Sequence, residues 1–165
     1  MELSELAKHL GQKLLAQKLM LVTAESCTGG WVAETVTSVA GSSEWFERGF
    51  ITYSNLAKQE MLGVKAETLK QFGAVSEQTA REMAEGALQH SHADIAVSVT
   101  GIAGPSGGTN EKPTGTVWFS LVSKHFAGLA KEQYFTGDRQ AIRRQAVEFV
   151  LEESINWLSQ GGNRY

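Results

Sequence analysis

A serine between an apolar run and an amphipathic segment is the first candidate for chemistry in this sequence. Ser26 follows residues 19–23, which have the composition of a buried strand, and it precedes residues 31–39, whose apolar side chains recur at helical spacing. A sharp strand-to-helix turn would expose its hydroxyl beside helix N-terminal N–H groups that lack partners within the helix. Gly29 and Gly30 would let a substrate approach the backbone closely. This pattern predicts an acyl-transfer nucleophile, with a simple helix cap as the alternative.

A serine nucleophile needs a base, and the sequence offers a lysine rather than a histidine. The histidines lie in helical, linker or turn contexts, and none follows a predicted strand. Lys58 lies one turn into a predicted helix, where the helix dipole and partial burial lower the pKa of an amine. Tyr53, at the preceding strand end, could relay the proton or hold the amine. The alternative is a solvated surface lysine and a half-buried strand aromatic.

Cys27 is a rival nucleophile next to Ser26. A cysteine at a helix N-terminus is activated by its position, although a small buried apolar residue of the first turn fits the sequence as well. Cys27 is the single cysteine of the chain, which excludes an internal disulfide and fits a reducing compartment.

A glycine-rich loop and two arginines are candidate ligand contacts. The loop at residues 100–108 follows a predicted strand and contains Thr100, Gly101 and Gly104. It matches neither a Walker A loop nor a dinucleotide fingerprint, but its N–H groups could wrap a ligand. Arg139 and Arg143 lie one turn apart at a predicted helix start, a geometry suited to phosphate. A solvated helix face is the competing interpretation of the two arginines.

The elements that must position these residues alternate between helix and strand and end with a hairpin. The predicted strands cover residues 19–24, 50–53, 94–100, 116–123 and 131–135, and the predicted helices cover residues 3–18, 27–39, 55–62, 66–71 and 77–90, with a final helix from 138. This order predicts an α/β fold, a three-layer α/β/α domain with a mixed sheet. Because ligands bind beyond the carboxyl ends of strands, we expect Ser26, Tyr53 and Thr100 to converge on one sheet edge. We expect a single domain over residues 1–165, with a loose tail at 160–165.

The bulk composition is that of an ordinary globular domain. The chain has 165 residues, of which 42% are hydrophobic and 20% charged, and its net charge is −3. That charge offers no broad basic field for nucleic acid or an anionic membrane. No apolar run is long enough for a membrane span, and the acidic N-terminal residues are unlike a signal peptide. We therefore expect a cytoplasmic protein without nucleic-acid or membrane partners.

Six motifs stand in a recognisable order along the chain. They are AESCTGG at 24–30, GFITYSNLAK at 49–58, GAVS at 73–76, TGIAGP at 100–105, KPTGTV at 112–117 and GDR at 137–139. With them the chain closely resembles the CinA C-terminal domain family, whose stand-alone bacterial members are nicotinamide-nucleotide amidases of the PncC type. The resemblance covers residues from about 5 to 158.

The resemblance implies deamidation of nicotinamide mononucleotide to nicotinate mononucleotide and ammonia. It also implies that no metal or other cofactor is needed and that the protein forms a homodimer or higher homo-oligomer. Similar family members use a Ser/Tyr/Lys arrangement, which falls here on Ser26, Tyr53 and Lys58. Ser26 would attack the carboxamide carbon, Lys58 would take its proton, and water would cleave the acyl-enzyme.

Under this interpretation the remaining candidates bind substrate. N–H groups near Thr28, Gly29 and Gly30, or at Thr100 and Gly101, would stabilise the oxyanion. The glycine loop around Gly104, with Arg139 or Arg143, would contact the nucleotide phosphate. Leu56 stands where relatives often have Glu, and we expect it to point away from the site. The competing hypothesis is a catalytically silent paralogue that only binds a pyridine nucleotide.

Overall fold

The computed structural model describes residues 1–161 as a five-stranded sheet covered by helices on both faces. The strands are β1 (Leu21–Glu25), β2 (Phe46–Ile51), β3 (Ile95–Gly101), β4 (Thr116–Ser123) and β5 (Leu129–Tyr134). The helices are α1 (Leu3–Gln17), α2 (Trp31–Thr37), α3 (Asn55–Leu62), α4 (Ala66–Phe72), α5 (Glu77–Gln89) and α6 (Arg139–Gly161). Within this described part, no helix is both long and apolar enough to cross a membrane.

The sheet is mixed, as the sequence predicts. Its strand order is β2-β1-β3-β4-β5, with β1 parallel to both of its neighbours and β4 antiparallel to both of its own. The parallel strands β2, β1 and β3 are connected through helices, whereas β3, β4 and β5 follow one another as antiparallel neighbours. The carboxyl ends of the three parallel strands therefore lie side by side at one edge of the sheet.

Alternate residues of the central strands pack into two different cores. Leu21 of β1 and Ile95 of β3 face a core shared with α1, α2 and α6, whereas their neighbours Val22 and Ala96 face a core shared with α3, α4 and α5. All four side chains are fully buried. Burial of a Leu, Ile or Val side chain stabilises a fold by about 1.5 to 3 kcal/mol. The two cores give the three-layer α/β/α architecture expected from the sequence.

Several element boundaries differ from the sequence-based prediction, and three of these differences change an expectation stated above. Helix α2 begins at Trp31 rather than at residue 27, because residues 26–30 form a turn in which Gly29 and Gly30 have φ angles of +61° and +103°. Strand β2 ends at Ile51, so Tyr53 lies beyond the strand. Helix α6 continues to Gly161, so the predicted loose tail is helical at its first two residues. Its remaining residues, 162–165, lie outside the described part of the chain.

Candidate active site

A cavity of about 360 Å³ opens at the carboxyl ends of the parallel strands. It contains predicted site residues from four separate parts of the sequence: Ser26, Tyr53, Lys58, Thr100, Gly101, Gly104 and Arg139. The convergence of strand ends expected from the sequence is therefore present. Thr28, Gly29, Gly30 and Arg143 do not line this cavity. A larger cavity of about 790 Å³ lies at the opposite edge of the sheet, beside Asp94 and His125, and no serine or cysteine lines it.

The hydroxyl of Ser26 and the amine of Lys58 are in direct contact. Lys58 Nζ lies 3.0 Å from Ser26 Oγ. Ser26 is held at the strand end because its N–H donates to the carbonyl of Val99, which continues the pairing of β1 with β3. Lys58 is held because the hydroxyl of Ser54 caps α3 by accepting from the N–H of Ala57. A candidate nucleophile and a candidate base thus meet from two rigid elements.

Lys58 is unusual because only 1% of its surface is exposed. Its amine also donates to the main-chain carbonyls of Thr52 and Tyr53, both at 3.1 Å. No carboxylate forms an ion pair with it among the described residues. Burial is the main cause that lowers the pKa of Lys58 below its ordinary value, and a Cys27 thiolate would oppose this shift.

The hydrogen bonds of Lys58 suit a neutral amine. A neutral amine has two N–H donors and one lone pair, and the two carbonyls of residues 52 and 53 accept from the two donors. The lone pair then faces Ser26 Oγ, whose O–H can donate to it. In the ammonium form all three donors would be used, and Ser26 Oγ would accept from Lys58 while its O–H donates to the carbonyl of Tyr53 at 3.4 Å. Deprotonation of Lys58 therefore converts it from a donor into a base for Ser26.

Tyr53 contributes its main chain to this contact, not its phenol. Its carbonyl accepts from Lys58 Nζ at 3.1 Å and lies 3.4 Å from Ser26 Oγ. Its side chain is 63% exposed, and its hydroxyl accepts a hydrogen bond from Arg139 at 3.2 Å. Of the two roles expected for Tyr53, these contacts favour holding the amine, through the main-chain carbonyl, while the phenol contacts Arg139.

Glu25 is a site residue that the sequence analysis missed. Its carboxylate is buried and accepts from the hydroxyl of Thr28 at 2.6 Å and from the N–H groups of Val32 and Ala33 at 2.9 and 3.0 Å. These two N–H groups belong to the first turn of α2 and are not free for an oxyanion. The N–H groups near Thr28, Gly29 and Gly30, which the sequence analysis proposes for that role, are different ones. The only sequence signal for this role is an acidic residue directly before Ser26. Whether that carboxylate can cap α2 depends on where the helix begins, which the sequence analysis placed too early.

Cys27 lies in the same turn, but its environment does not activate it. The thiol is buried, and desolvation raises the pKa of Cys27 to about 12. A thiol with this pKa stays protonated at neutral pH, whereas the attacking species is the thiolate. The structure therefore favours the small buried residue over the rival nucleophile.

The glycine loop and Arg139 form one wall of the cavity. Arg139 donates to the carbonyl of Gly104 at 2.7 Å and stays exposed, with further N–H donors available. Within the described residues, no protein group accepts from the N–H groups of Ala103, Gly104, Ser106, Gly107 or Gly108. Main-chain donors beside a guanidinium suit an anionic group of a ligand.

Arg143 lies outside this wall. Its guanidinium donates to the carbonyls of Cys27 and Thr28 at 3.0 and 3.2 Å, and it lies 5.5 Å from the centre of the Trp31 ring. Arg143 therefore contacts the turn that carries Ser26 from its carbonyl side. Leu56 points away from the cavity, as expected, and is largely exposed.

Comparison with known proteins decides the family. The model of the CinA C-terminal domain matches residues 3–158. The chain belongs to the CinA C-terminal domain family. Membership had been predicted from the six motifs, and the match spans all of them.

Relatives in the CinA family include enzymes of high similarity. The chain is 56% identical to the nicotinamide-nucleotide amidohydrolase PncC of Escherichia coli K12 over 151 residues, 92% of each chain. It is 54% identical to the corresponding protein of Enterobacter agglomerans over 153 residues, 93% of each chain. This similarity confirms the prediction of an enzyme that hydrolyses an amide.

Solved structures of the CinA family share the fold. The competence/damage inducible protein CihA of Agrobacterium tumefaciens is 48% identical and superposes with a TM-score of 0.89 over 93% of this chain and 95% of its own. A CinA superfamily protein of Klebsiella pneumoniae is 38% identical, with a TM-score of 0.93 over 97% of this chain and 99% of its own. The three-layer fold is thus that of the family.

Proposed function

We propose that the protein hydrolyses the carboxamide of nicotinamide mononucleotide to give nicotinate mononucleotide and ammonia, with Ser26 as nucleophile and Lys58 as base. The observation that carries the chemistry is the 3.0 Å contact between Ser26 Oγ and a buried Lys58 amine whose other donors are held by two carbonyls. The substrate is proposed from the relatives named nicotinamide-nucleotide amidohydrolase, which align over 92% of both chains.

Acylation begins with neutral Lys58. The Ser26 O–H proton moves to Lys58 Nζ as Ser26 Oγ forms a bond to the carboxamide carbon, and the carbonyl electron pair moves onto oxygen. The resulting oxyanion needs N–H donors near the turn at 26–30 or near Thr100 and Gly101. Tyr53 assists through its carbonyl, which keeps the Lys58 lone pair directed at Ser26.

Lys58 also transfers the protons that complete acylation and then drive deacylation. The protonated Lys58 gives its proton to the leaving nitrogen, the C–N bond breaks and ammonia departs, which leaves a nicotinoyl ester on Ser26. Water then attacks the ester carbon and gives a proton to Lys58. Collapse of the second tetrahedral intermediate breaks the ester bond as Lys58 returns the proton to Ser26 Oγ, and the released carboxylic acid loses its own proton to solvent to give the carboxylate.

The rest of the cavity suits the nucleotide. We propose that Arg139 and the free N–H groups of the loop around Gly104 bind the phosphate, because both face the cavity and still have donors available. Arg143, the other predicted phosphate contact, is less suited, since its guanidinium is engaged by the carbonyls of Cys27 and Thr28.

The test is ammonia release from nicotinamide mononucleotide by the chelator-treated protein, with Ser26→Ala measured in parallel. We expect release by the parent protein and its loss in the variant. A folded parent that binds the nucleotide in calorimetry but releases no ammonia would instead support the silent nucleotide-binding paralogue. Release that persists in Ser26→Ala would exclude the serine mechanism.

We further propose that the protein acts in the cytoplasm as a homo-oligomer. Ile51, Leu56 and Met61 on β2 and α3 are large apolar side chains with at least 40% exposure. Burial of such neighbouring groups against a second copy would stabilise a dimer. Light scattering coupled to gel filtration measures the mass, and a value near the 17.9 kDa of one chain would exclude the oligomer.

A further inference from the structure

Arg143 binds two successive carbonyls of the turn that carries Ser26. Its Nε donates to the carbonyl of Cys27 at 3.0 Å, and its Nη2 donates to the carbonyl of Thr28 at 3.2 Å. A third donor is taken by Gln140 at 3.0 Å. The guanidinium is also placed beside the ring of Trp31. A planar fork with several fixed contacts holds its partners in one orientation, which a lysine cannot do.

The orientation of these carbonyls determines where the neighbouring N–H groups point. In a trans peptide the C=O and the N–H point in opposite directions. The carbonyl of Cys27 points at Arg143, so the N–H of Thr28 points away from it. Cys27, which supplies the carbonyl of this peptide, lines the cavity, whereas Thr28 and Arg143 do not. Arg143 thus lies on the carbonyl side of the peptide, and the cavity-lining residue Cys27 leaves the opposite side for the N–H.

The N–H of Thr28 is also available. The N–H of Ser26 donates to Val99 and the N–H of Gly29 donates to the carbonyl of Ser26. Among the described residues, no protein group accepts a hydrogen bond from the N–H of Thr28. The Thr28 side chain cannot compete for this role, because its hydroxyl donates to the buried carboxylate of Glu25.

We propose that Arg143 is a positioning residue for the oxyanion: its guanidinium holds the carbonyls of Cys27 and Thr28 and thereby turns the N–H of Thr28 toward the oxygen of the amide that Ser26 attacks. The proposal rests on the serine mechanism above and gives Arg143 a role in place of phosphate binding. The positive charge on the carbonyl side of the peptide also polarises the N–H on its far side, which strengthens that donor where negative charge develops.

The experiment compares Arg143→Gln and Arg143→Lys with Arg144→Gln. Arg144 is the matched control, because it is the next residue of α6 and pairs with Glu148 on the surface. Loss of one oxyanion donor costs about 10² to 10³ in kcat, and Arg143 acts on such a donor indirectly, so we expect a loss of about 10- to 100-fold. KM for nicotinamide mononucleotide should change by less than about threefold, since no contact with the bound substrate is removed. Arg143→Lys should lower kcat by nearly the same factor, because lysine keeps the positive charge but lacks the planar guanidinium with its several N–H donors.

A second substrate separates this proposal from the proposed function. Ser26-dependent release of nitrophenolate from p-nitrophenyl acetate reports acylation of the serine without any nucleotide contact. If the parent cleaves this ester through Ser26 but does not act on nicotinamide mononucleotide, the substrate proposal fails and the ester rates still decide the role of Arg143. A raised KM with unchanged kcat, or ester cleavage as fast in Arg143→Gln as in Arg144→Gln, would overturn the inference. So would a parent whose Ser26 reacts with neither compound.

Discussion

Replacement of the buried Glu25 by glutamine should destabilise the protein more than the same replacement at an exposed glutamate. One carboxylate oxygen of Glu25 accepts from the Thr28 hydroxyl and the Val32 N–H, and the other accepts from the Ala33 N–H. In Glu25→Gln the amide nitrogen takes the place of one oxygen and meets an N–H donor instead of accepting from it. At least one buried donor of α2 is then left without an acceptor.

The size of the effect can be worked from these three bonds. A buried donor without a partner costs about 1 to 3 kcal/mol. The two bonds that survive change from a charged to a neutral acceptor, and charge-assisted bonds are roughly twice as strong, which costs about 1 kcal/mol each. The easier desolvation of a neutral amide offsets part of this loss. We therefore expect the free energy of unfolding to fall by about 2 to 4 kcal/mol.

Urea unfolding followed by circular dichroism measures this change, with Glu34→Gln as the control. Glu34 lies in the same first turn of α2 but is exposed. Loss of its charge removes only an interaction with the helix dipole, which contributes about 0.3 to 1 kcal/mol. If Glu25→Gln unfolds within about 1 kcal/mol of the parent, or no earlier than Glu34→Gln, the carboxylate does not hold the turn as described.

The other predictions concern the base, the thiol and the phosphate contact. Lys58→Met should lower kcat by about 10² to 10⁴ with little change in KM, measured by ammonia release; a loss in KM alone would contradict the role as base. Because burial lowers the pKa of Lys58 from its ordinary 10.5, the neutral amine is present above the lowered pKa and is lost as the pH falls through it. The value of kcat/KM should therefore rise with pH on the acidic side of 10.5, and a profile that falls in this range would be inconsistent with a lysine base. Cys27→Ser should keep activity within about tenfold of the parent, because a protonated thiol takes no part in the attack; complete loss in a folded variant would revive the thiol mechanism. Arg139→Gln should raise KM for the nucleotide by about tenfold and leave kcat nearly unchanged, and equal kinetics of parent and variant would place the phosphate elsewhere.

The sequence predicts most of this fold because its signals are local. Helical spacing in α5 and alternation in β3 each identify an element. Ser54, Ser76 and Asp138 are of residue types preferred at helix N-caps, and each accepts from the N–H three residues further on. The mixed sheet and its two covered faces follow from the order of these elements. The same order of elements also predicts that the carboxyl ends of the parallel strands meet at one cavity.

The features that were not predicted depend on long-range geometry. The start of α2 at Trp31 depends on the φ angles of Gly29 and Gly30, and only with that start does the Glu25 side chain reach the first helical N–H groups. The part played by the Tyr53 carbonyl depends on where β2 ends relative to α3. Arg143 was assigned to phosphate from its spacing to Arg139, but α6 turns the two guanidinium groups to different neighbours.

The contact between Arg143 and the turn at Ser26 has a consequence for the order in which the molecule is completed. A ribosome adds Arg143 116 residues after Cys27, and the two meet only when α6 packs against the sheet. Until then the carbonyls of Cys27 and Thr28 have no guanidinium to hold them. The contact between Ser26 and Lys58 spans only 32 residues, so both of its residues are made well before Arg143. The turn that carries Ser26 therefore gains its contacts with Arg143 only after every residue that lines the cavity has been made.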